Sequence, residues 1–185
     1  MKIISLHNQE KQFIKKAIGQ NREAQQWLFK QFSPKMLGVC RQYVKDIHHA
    51  EELMLSGFLK VFTKLDSFKH QGSFEGWVRR IMVHNCISYL RKKNLLQLTD
   101  KDYVFNEKAI ESIENTSVED IQKLIDLLPD GYKMVFNLYA IEGFKHSEIA
   151  KKLGITVGTS KSQLSKARKW LQTNYNKMNQ VSYGK

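Results

Sequence analysis

Apolar residues recur at three- and four-residue steps through both halves of the chain, which is the period of an amphipathic helix. Each apolar stripe needs a partner face, so the helices should pack together as bundles. No segment with the two-residue alternation of a half-buried β-strand stands between the stripes. The pattern therefore predicts an all-α protein.

The stripes are separated by turn residues. In the first half they comprise Ala24, Trp27, Leu28 and Phe32; Met36, Leu37, Cys40, Tyr43 and Val44, after Pro34; Ala50, Leu53, Met54, Phe58, Val61, Phe62 and Leu65; and Trp77, Val78, Ile81, Met82, Cys86 and Leu90. In the second half they comprise Ile121, Leu124, Ile125 and Leu128, ending at Pro129, and then Tyr132, Val135, Phe136 and Tyr139, ending at Gly143. A content of only 2 prolines and 10 glycines favours long helices.

Two short helices are predicted after Gly143, at roughly 146–153 and 157–172. Gly154 suits the positive φ of a sharp turn, and Thr156 is a good N-cap for the second helix. We expect Val157, Leu164, Ala167 and Leu171 to point inward, and Lys161, Ser162, Ser165, Lys166 and Lys169 to be exposed. This is the pattern of a helix-turn-helix, whose second helix enters the major groove of DNA.

The charge is unevenly distributed. The chain carries a formal net charge of +12, which suggests a polyanionic partner, either nucleic acid or an anionic membrane surface. Residues 1–93 carry +10, residues 94–118 carry −3 and residues 119–185 carry +5. This alternation predicts two basic domains joined by an acidic linker. Within the second domain, the basic residues are concentrated in the helix-turn-helix.

A second candidate site combines aromatic and basic residues at 68–93. Phe68, Phe74 and Trp77 flank a glycine-bearing segment, and Arg79 and Arg80 follow them. Aromatic rings beside cations can stack on unpaired bases while the charges hold the backbone. The same rings could belong to the core, and the basic run at 91–93 could be a solvated helix end. The pattern leaves both interpretations open.

Signals of catalysis are lacking in the sequence. It shows no Ser-His-Asp set, phosphate-binding glycine loop or metal-ligand cluster. The adjacent His48 and His49 would point apart on a helix, and Cys40 and Cys86 are expected in the core. We expect no enzymatic activity, cofactor, metal or small-molecule substrate. Apolar runs too short for a bilayer, and no recognised signal peptide, favour a cytoplasmic protein without membrane insertion.

These segments together resemble the extracytoplasmic-function class of bacterial RNA polymerase sigma factors, over about residues 21–93 and 119–172. In the first part the resemblance rests on Ala50-Glu51-Glu52-Leu53 with Phe58 and Phe62, and on Phe68 through Arg91 with Phe74, Trp77, Arg80 and Ile81 in register. In the second part it rests on Ile141-Glu142-Gly143-Phe144, Glu148-Ile149-Ala150, Leu153-Gly154-Ile155, and Gly158-Thr159 through Lys166-Ala167-Arg168.

The resemblance implies a transcription initiation factor of two helical domains, 1–93 and 119–185, joined by a flexible linker at 94–118. Its implied partners are core RNA polymerase, promoter DNA and an anti-sigma factor. Residues implied to bind polymerase are Glu51, Glu52, Leu53 and Phe58. Residues implied to bind the minus-ten element are Lys69, Gln71, Ser73, Trp77, Arg79, Arg80, His84, Arg91 and Lys92. Residues implied to bind the minus-thirty-five element are Thr159, Lys161, Ser162, Ser165 and Lys166.

The chain departs from the pattern of this class in three places. Leu55 and Ser56 replace a usual Gln-Glu pair, which weakens the polar part of the implied polymerase contact. His84 stands where Asn is frequent, and Asn85 follows it. Lys145 replaces the usual Ser or Thr cap, so that helix start should be less stable by roughly 1 kcal/mol.

Two other functions fit the same sequence. A two-domain helix-turn-helix regulator would bind duplex DNA without polymerase and would carry a ligand or phosphorylation site in residues 1–93. A basic helical RNA-binding or scaffold protein would bind nucleic acid through charge alone, in a salt-dependent and sequence-independent way.

Overall fold

The computed structural model describes the backbone of residues 2–92 and 118–182 and the side chains of residues 9–92 and 121–177. Within these ranges the chain forms α-helices and short helical turns without any strand, so the all-α prediction is confirmed. The chain divides into two compact units, residues 1–88 and 89–185. The predicted linker at 94–118 lies outside the described residues, apart from its last position.

Among the described residues, four α-helices begin in the first unit and four in the second. The first four are α1 (Lys2–Ile18), α2 (Arg22–Tyr43), α3 (Ile47–Thr63) and α4 (Phe74–Lys92), with a 3₁₀ turn at Leu65–Ser67. The last four are α5 (Val118–Leu127), α6 (Asp130–Phe136), α7 (His146–Leu153) and α8 (Val157–Ser182), with a π-helical turn at Asn137–Ile141.

Short polar side chains begin the helices of the first unit. The N–H of Ala24 donates to Asn21 Oδ1 at 2.8 Å and caps α2. The N–H of His49 donates to Asp46 Oδ1, also at 2.8 Å, and caps α3. This hydrogen bond holds the pKa of the Asp46 carboxyl below its usual value, because it favours the ionised form.

Pro34 does not divide α2. The sequence pattern has separate stripes before and after this proline, whereas the structure has one helix from Arg22 to Tyr43. Pro34 lies on the exposed side of α2, where water can bind the carbonyl that loses its donor. Buried residues such as Phe32 and Met36 stand on either side of it and keep the helix packed.

An N-terminal helix that the stripe pattern did not delimit completes the first unit. Ile14 and Ala17 of α1 are buried against α2. The Phe13 ring stacks on Trp27 with a centroid distance of 4.3 Å. Ile14 and Ala17 are three residues apart, so they lie on the same side of α1.

The second unit has its core between α5, α6 and α8. Leu124, Leu128 and Ala167 are fully buried, and Trp170 and Leu171 pack against them. Helix α8 reaches Ser182, about ten residues beyond its predicted end. Val157 is 42% exposed, so the prediction that it points inward is wrong; it is the first residue of α8 and lies before the packed part of the helix.

Helices α3 and α4 approach closely at Gly57. A Cβ atom at this position would clash with the Met82 side chain, which is fully buried. We predict that Gly57→Ala lowers the free energy of unfolding by about 1–3 kcal/mol, because the core is overpacked. Gly38→Ala is the control: its Cβ meets nothing within 4 Å, so the helix gains about 0.5–1 kcal/mol. Urea unfolding measures both, and equal shifts would contradict the close approach.

Candidate nucleic-acid interface

Helices α7 and α8 form the predicted helix-turn-helix. Helix α7 ends at Gly154, which has a φ of 71°, so the positive φ expected there is confirmed. The N–H of Thr159 donates to Thr156 Oγ1 at 3.0 Å, which makes Thr156 the cap of α8. Ile149 and Leu153 of α7 are buried with Leu164 of α8, and this packing fixes the angle of the two helices.

One side of α8 is free of the core. Lys161, Ser162, Ser165 and Lys166 are exposed, whereas Leu164 and Ala167 are buried on the opposite side. Thr159 is half-buried, and its hydroxyl lies 2.9 Å from that of Thr156. The predicted residues of this helix therefore share one accessible face, with Thr159 at its edge.

The start of α7 compensates for its unusual cap residue. The N–H of Lys145 donates to Glu148 Oε2 at 2.8 Å, so the acidic half of a capping box is present. His146 Nδ1 lies 2.9 Å from Ser160 Oγ, and the His146 ring stacks on Tyr139. These contacts offset part of the instability expected from Lys145 and tie the start of α7 to α8.

The aromatic residues at 68–77 divide between core and surface. Phe68 and Phe74 are buried, with their rings 5.3 Å apart and nearly perpendicular. Trp77 is half-buried, and its ring centroid lies 5.8 Å from Phe74 and 5.4 Å from Phe68. The core interpretation thus holds for the two phenylalanines, whereas Trp77 keeps part of its surface accessible beside them.

The loop between the 3₁₀ turn and α4 encloses a polar cavity of about 320 Å³. Two of its residues, His70 and Gly72, have positive φ values of 55° and 101°, which curl the loop back toward α4. The lining includes Lys69, Gln71, Ser73, Trp77 and Arg80. The structure therefore brings five of the predicted minus-ten residues together around one cavity.

The other predicted cations of α4 have different surroundings. Arg79 is half-buried and donates to Gln42 Oε1 at 3.5 Å, whereas Arg91 and Lys92 are exposed in the last turn. His84 is exposed, but its neighbour Asn85 is 6% exposed and donates to the Leu53 carbonyl at 2.8 Å. Asn85 therefore cannot replace the asparagine that is usual at position 84.

Two of the predicted polymerase-binding residues belong to the core. Leu53 is 7% exposed and Phe58 is 3% exposed, so these two side chains offer little surface to a partner. Glu51 and Glu52 are exposed. On the outer side of α3, Leu55 is 50% exposed and Leu59 is 69% exposed.

The sequence motifs mark Leu55 only as a departure from the class pattern and do not mark Leu59, although both residues face outward. They are four residues apart, a spacing that puts two side chains on the same side of a helix. Neither fits the inward stripe that contains Leu53 and Phe58. Apolar residues outside a stripe are the signal that could have found this surface.

Two family models match this chain. The model of sigma-70 region 2 matches residues 28–95, and that of sigma-70 region 4 matches residues 118–171. Together they cover more than half of the chain, in the order that the sequence motifs predict. The chain belongs to the extracytoplasmic-function class of RNA polymerase sigma factors. Its function is therefore in the initiation of transcription.

Several sigma factors resemble this one along most of their length. It is 28% identical over 179 residues to the ECF RNA polymerase sigma factor SigW of Bacillus subtilis, covering 86% of this chain and 95% of SigW. It is 25% identical over 174 residues to the RNA polymerase sigma-H factor of Pseudomonas aeruginosa, covering 86% and 90%.

A solved structure shares the fold of this sigma factor. The sigma factor RpoE of Bartonella quintana, crystallised in complex with the anti-sigma factor NepR, matches with a TM-score of 0.50 and 23% identity. The match covers 82% of this chain and 96% of that one. Among the described helices of this sigma factor, none has the length and apolar character needed to cross a membrane.

Proposed function

We propose that this sigma factor binds core RNA polymerase through α3 and reads promoter DNA with both of its units. The observation that carries the proposal is the pairing, in one chain, of two different nucleic-acid surfaces. One is a solvent-facing recognition helix suited to duplex DNA, and the other is a polar cavity beside an aromatic ring, suited to an unpaired base. A factor that both locates and opens a promoter needs both surfaces.

The accessible face of α8 reads the minus-thirty-five element in the major groove. Lys161 and Lys166 can donate to guanine O6 or N7, and Ser162 and Ser165 can donate to or accept from either base of a pair. Thr159 lies in the first turn of α8, and its hydroxyl contacts the phosphate backbone. The buried face opposite keeps these side chains at a fixed angle to the groove.

The loop cavity reads the minus-ten element after the strands separate. A base rotated out of the stack needs a pocket that replaces its lost stacking and hydrogen bonds. Trp77 supplies an aromatic surface, and Lys69, Gln71 and Ser73 supply donors and acceptors around the cavity. Arg79, Arg80, Arg91 and Lys92 on α4 hold phosphates of the same region, and His84 contributes to the choice of base.

The outer side of α3 binds core polymerase. Leu55 and Leu59 form an exposed apolar pair that would lose its contact with water in a complex. Glu51 and Glu52 lie on the exposed part of the same helix and supply charge that orients the partner. Leu53 and Phe58 contribute indirectly, because their buried side chains hold α3 in place.

Residues 1–93 and 119–185 act as separate domains, and the acidic segment 94–118 passes between their binding sites on the polymerase. The sigma factor carries no catalysis of its own and uses that of the polymerase, in the cytoplasm. The similar sigma factor RpoE was crystallised with an anti-sigma factor, which supports an inhibitor of this kind here.

We predict that the purified chain co-elutes with core RNA polymerase in gel filtration and directs it to DNA with two short boxes at fixed spacing. The double variant Leu55→Gln with Leu59→Gln should lower the affinity for core polymerase at least tenfold, because it removes exposed apolar area. Glutamine also favours a helix, so α3 should stay folded. Ile18→Gln is the control, since Ile18 is another exposed apolar residue of the same unit.

The same experiment separates the competing functions. Sequence-specific duplex binding by the chain alone, without co-elution, would favour a helix-turn-helix regulator. Binding that falls steeply with salt and ignores sequence would favour a basic scaffold. If the double variant binds core polymerase as tightly as the wild type, the α3 surface does not bind polymerase. The assignment of the chain as a polymerase-binding factor would still stand.

Lys166→Ala should reduce initiation at a selected promoter by about tenfold without affecting association with polymerase, because one major-groove contact is worth about 1–3 kcal/mol. Lys177→Ala removes the same charge from the same helix, three turns further on, and should have little effect. The assay is abortive transcription on matched promoter variants. A loss that is equal on every promoter variant would mean that Lys166 contributes charge only.

Trp77→Ala should slow promoter opening by about tenfold or more, since stacking of a base on an aromatic ring is worth about 1–3 kcal/mol. A template that is already melted over the minus-ten element should restore much of the rate. Trp27→Ala, also a half-buried tryptophan in the same unit, controls for lost stability. If Trp77→Ala instead unfolds the unit, as circular dichroism would show, Trp77 is chiefly a core residue.

A further inference from the structure

The position of Tyr139 depends on an irregular stretch of backbone before α7. Tyr139 lies in the π-helical turn Asn137–Ile141, where the N–H of Glu142 donates to the carbonyl five residues before it at 3.0 Å. Such a turn encloses one residue more than an α-helical turn, and it is frequent at functional sites. The chain then reverses at Gly143, which has a φ of 74°. The reversal brings His146, at the start of α7, back beside Tyr139.

Tyr139 and His146 together contact α8 at two points. Their rings stack with a centroid distance of 4.7 Å and an interplanar angle of 25°. His146 Nδ1 lies 2.9 Å from Oγ of Ser160, which is fully buried, so this hydrogen bond joins the imidazole to a hydroxyl that water does not reach. The second contact is a cation–π interaction, because Arg168 Cζ lies 5.2 Å from the centroid of the Tyr139 ring.

The two points of contact stand on either side of the residues that are proposed to read base edges. Ser160 and Arg168 are eight residues apart, which is about 12 Å along a helix. The exposed residues at positions 161–166 lie between them. One contact fixes a single point of a helix, whereas two contacts at this separation also fix its direction.

These contacts are also of a kind that resists rotation. The apolar packing of Leu164 and Ala167 holds α8 against the second unit, but burial of apolar surface is non-directional. Hydrogen bonds and ring stacking depend on angle, so they oppose a small turn or slide of the helix. Side chains that recognise a ligand must be held within about 0.5 Å of their productive position.

We propose that Tyr139 and His146 are positioning residues for the minus-thirty-five element. They hold α8 at one angle to the major groove, and this angle determines how strictly the base sequence is read. Neither residue is proposed to touch DNA. The inference rests on the proposed function and extends it to two side chains that precede the recognition helix.

The test uses holoenzyme reconstituted with the full-length chain. Initiation at limiting holoenzyme is compared on the selected promoter and on copies with one base pair of the minus-thirty-five element changed. The ratio of the two rates is the readout, because the amount of folded protein affects both rates equally. Tyr139→Leu should lower this ratio about fivefold, which is part of what a good base contact supplies. Tyr139→Phe keeps the ring and should keep the ratio of the wild type.

Phe144→Leu is the matched control. Phe144 is also a half-buried ring of the second unit, and Lys152 Nζ lies 4.7 Å from its centroid, but Lys152 belongs to α7 and not to α8. Urea unfolding should show a loss of stability in this variant, as in Tyr139→Leu, while its ratio stays that of the wild type. An equal fall of the ratio in both variants would overturn the proposal.

A double-mutant cycle tests the hydrogen bond to α8. His146→Ala and Ser160→Ala should each lower the ratio, and the double variant should fall no further than His146→Ala. The proposal is overturned if the two effects multiply, if Tyr139→Leu keeps the wild-type ratio, or if Tyr139→Phe loses it. Failure of the proposed function looks different, because then the wild-type holoenzyme itself shows no preference among the minus-thirty-five variants.

Discussion

The amide of Asn85 is buried between α3 and α4, where it donates to the Leu53 carbonyl and accepts from Lys60. A buried amide that loses its partners costs about 1–3 kcal/mol, so any sliding of α4 along α3 is opposed. The close approach at Gly57 and Met82 has the same effect through packing. The position of Trp77 over its cavity depends on this fixed register.

The helices α3 and α8, which are proposed to bind partners, each have a buried face and an exposed face. Leu53 and Phe58 of α3 are buried, and their burial leaves Leu55 and Leu59 on the outside. In α8, Ala167 is fully buried while its neighbour Lys166 is exposed. A side chain that binds a partner is therefore positioned by a neighbour that does not, and substitution of the inner residue would affect binding indirectly.

The sequence predicted the helix-turn-helix closely, because its signals are local. A glycine at the turn, a threonine cap and inward-facing residues at helical spacing suffice to locate α7 and the start of α8. Burial could not be predicted so well, because it depends on what packs on each side. Val157 shows this: helical spacing predicted that it points inward, and the structure leaves it 42% exposed.

Other features needed tertiary structure for their interpretation. Pro34 is tolerated inside α2 because it faces solvent, which the sequence does not state. Lys60 and Lys64 belong to none of the motifs in the sequence, and the structure places them beside α4. Their approach to Arg80 joins residues about 20 positions apart, and no local pattern encodes such a pairing.

The net charge of +12 and the few specific side chains have separate tasks in DNA recognition. Positive charge that is spread over the surface attracts any phosphate backbone, and salt weakens this attraction. Exposed lysines such as Lys30 contribute to this general attraction. Lys60 differs because a buried amide determines where its charge lies. A charge that is held in a fixed position favours one path of a bound strand over others.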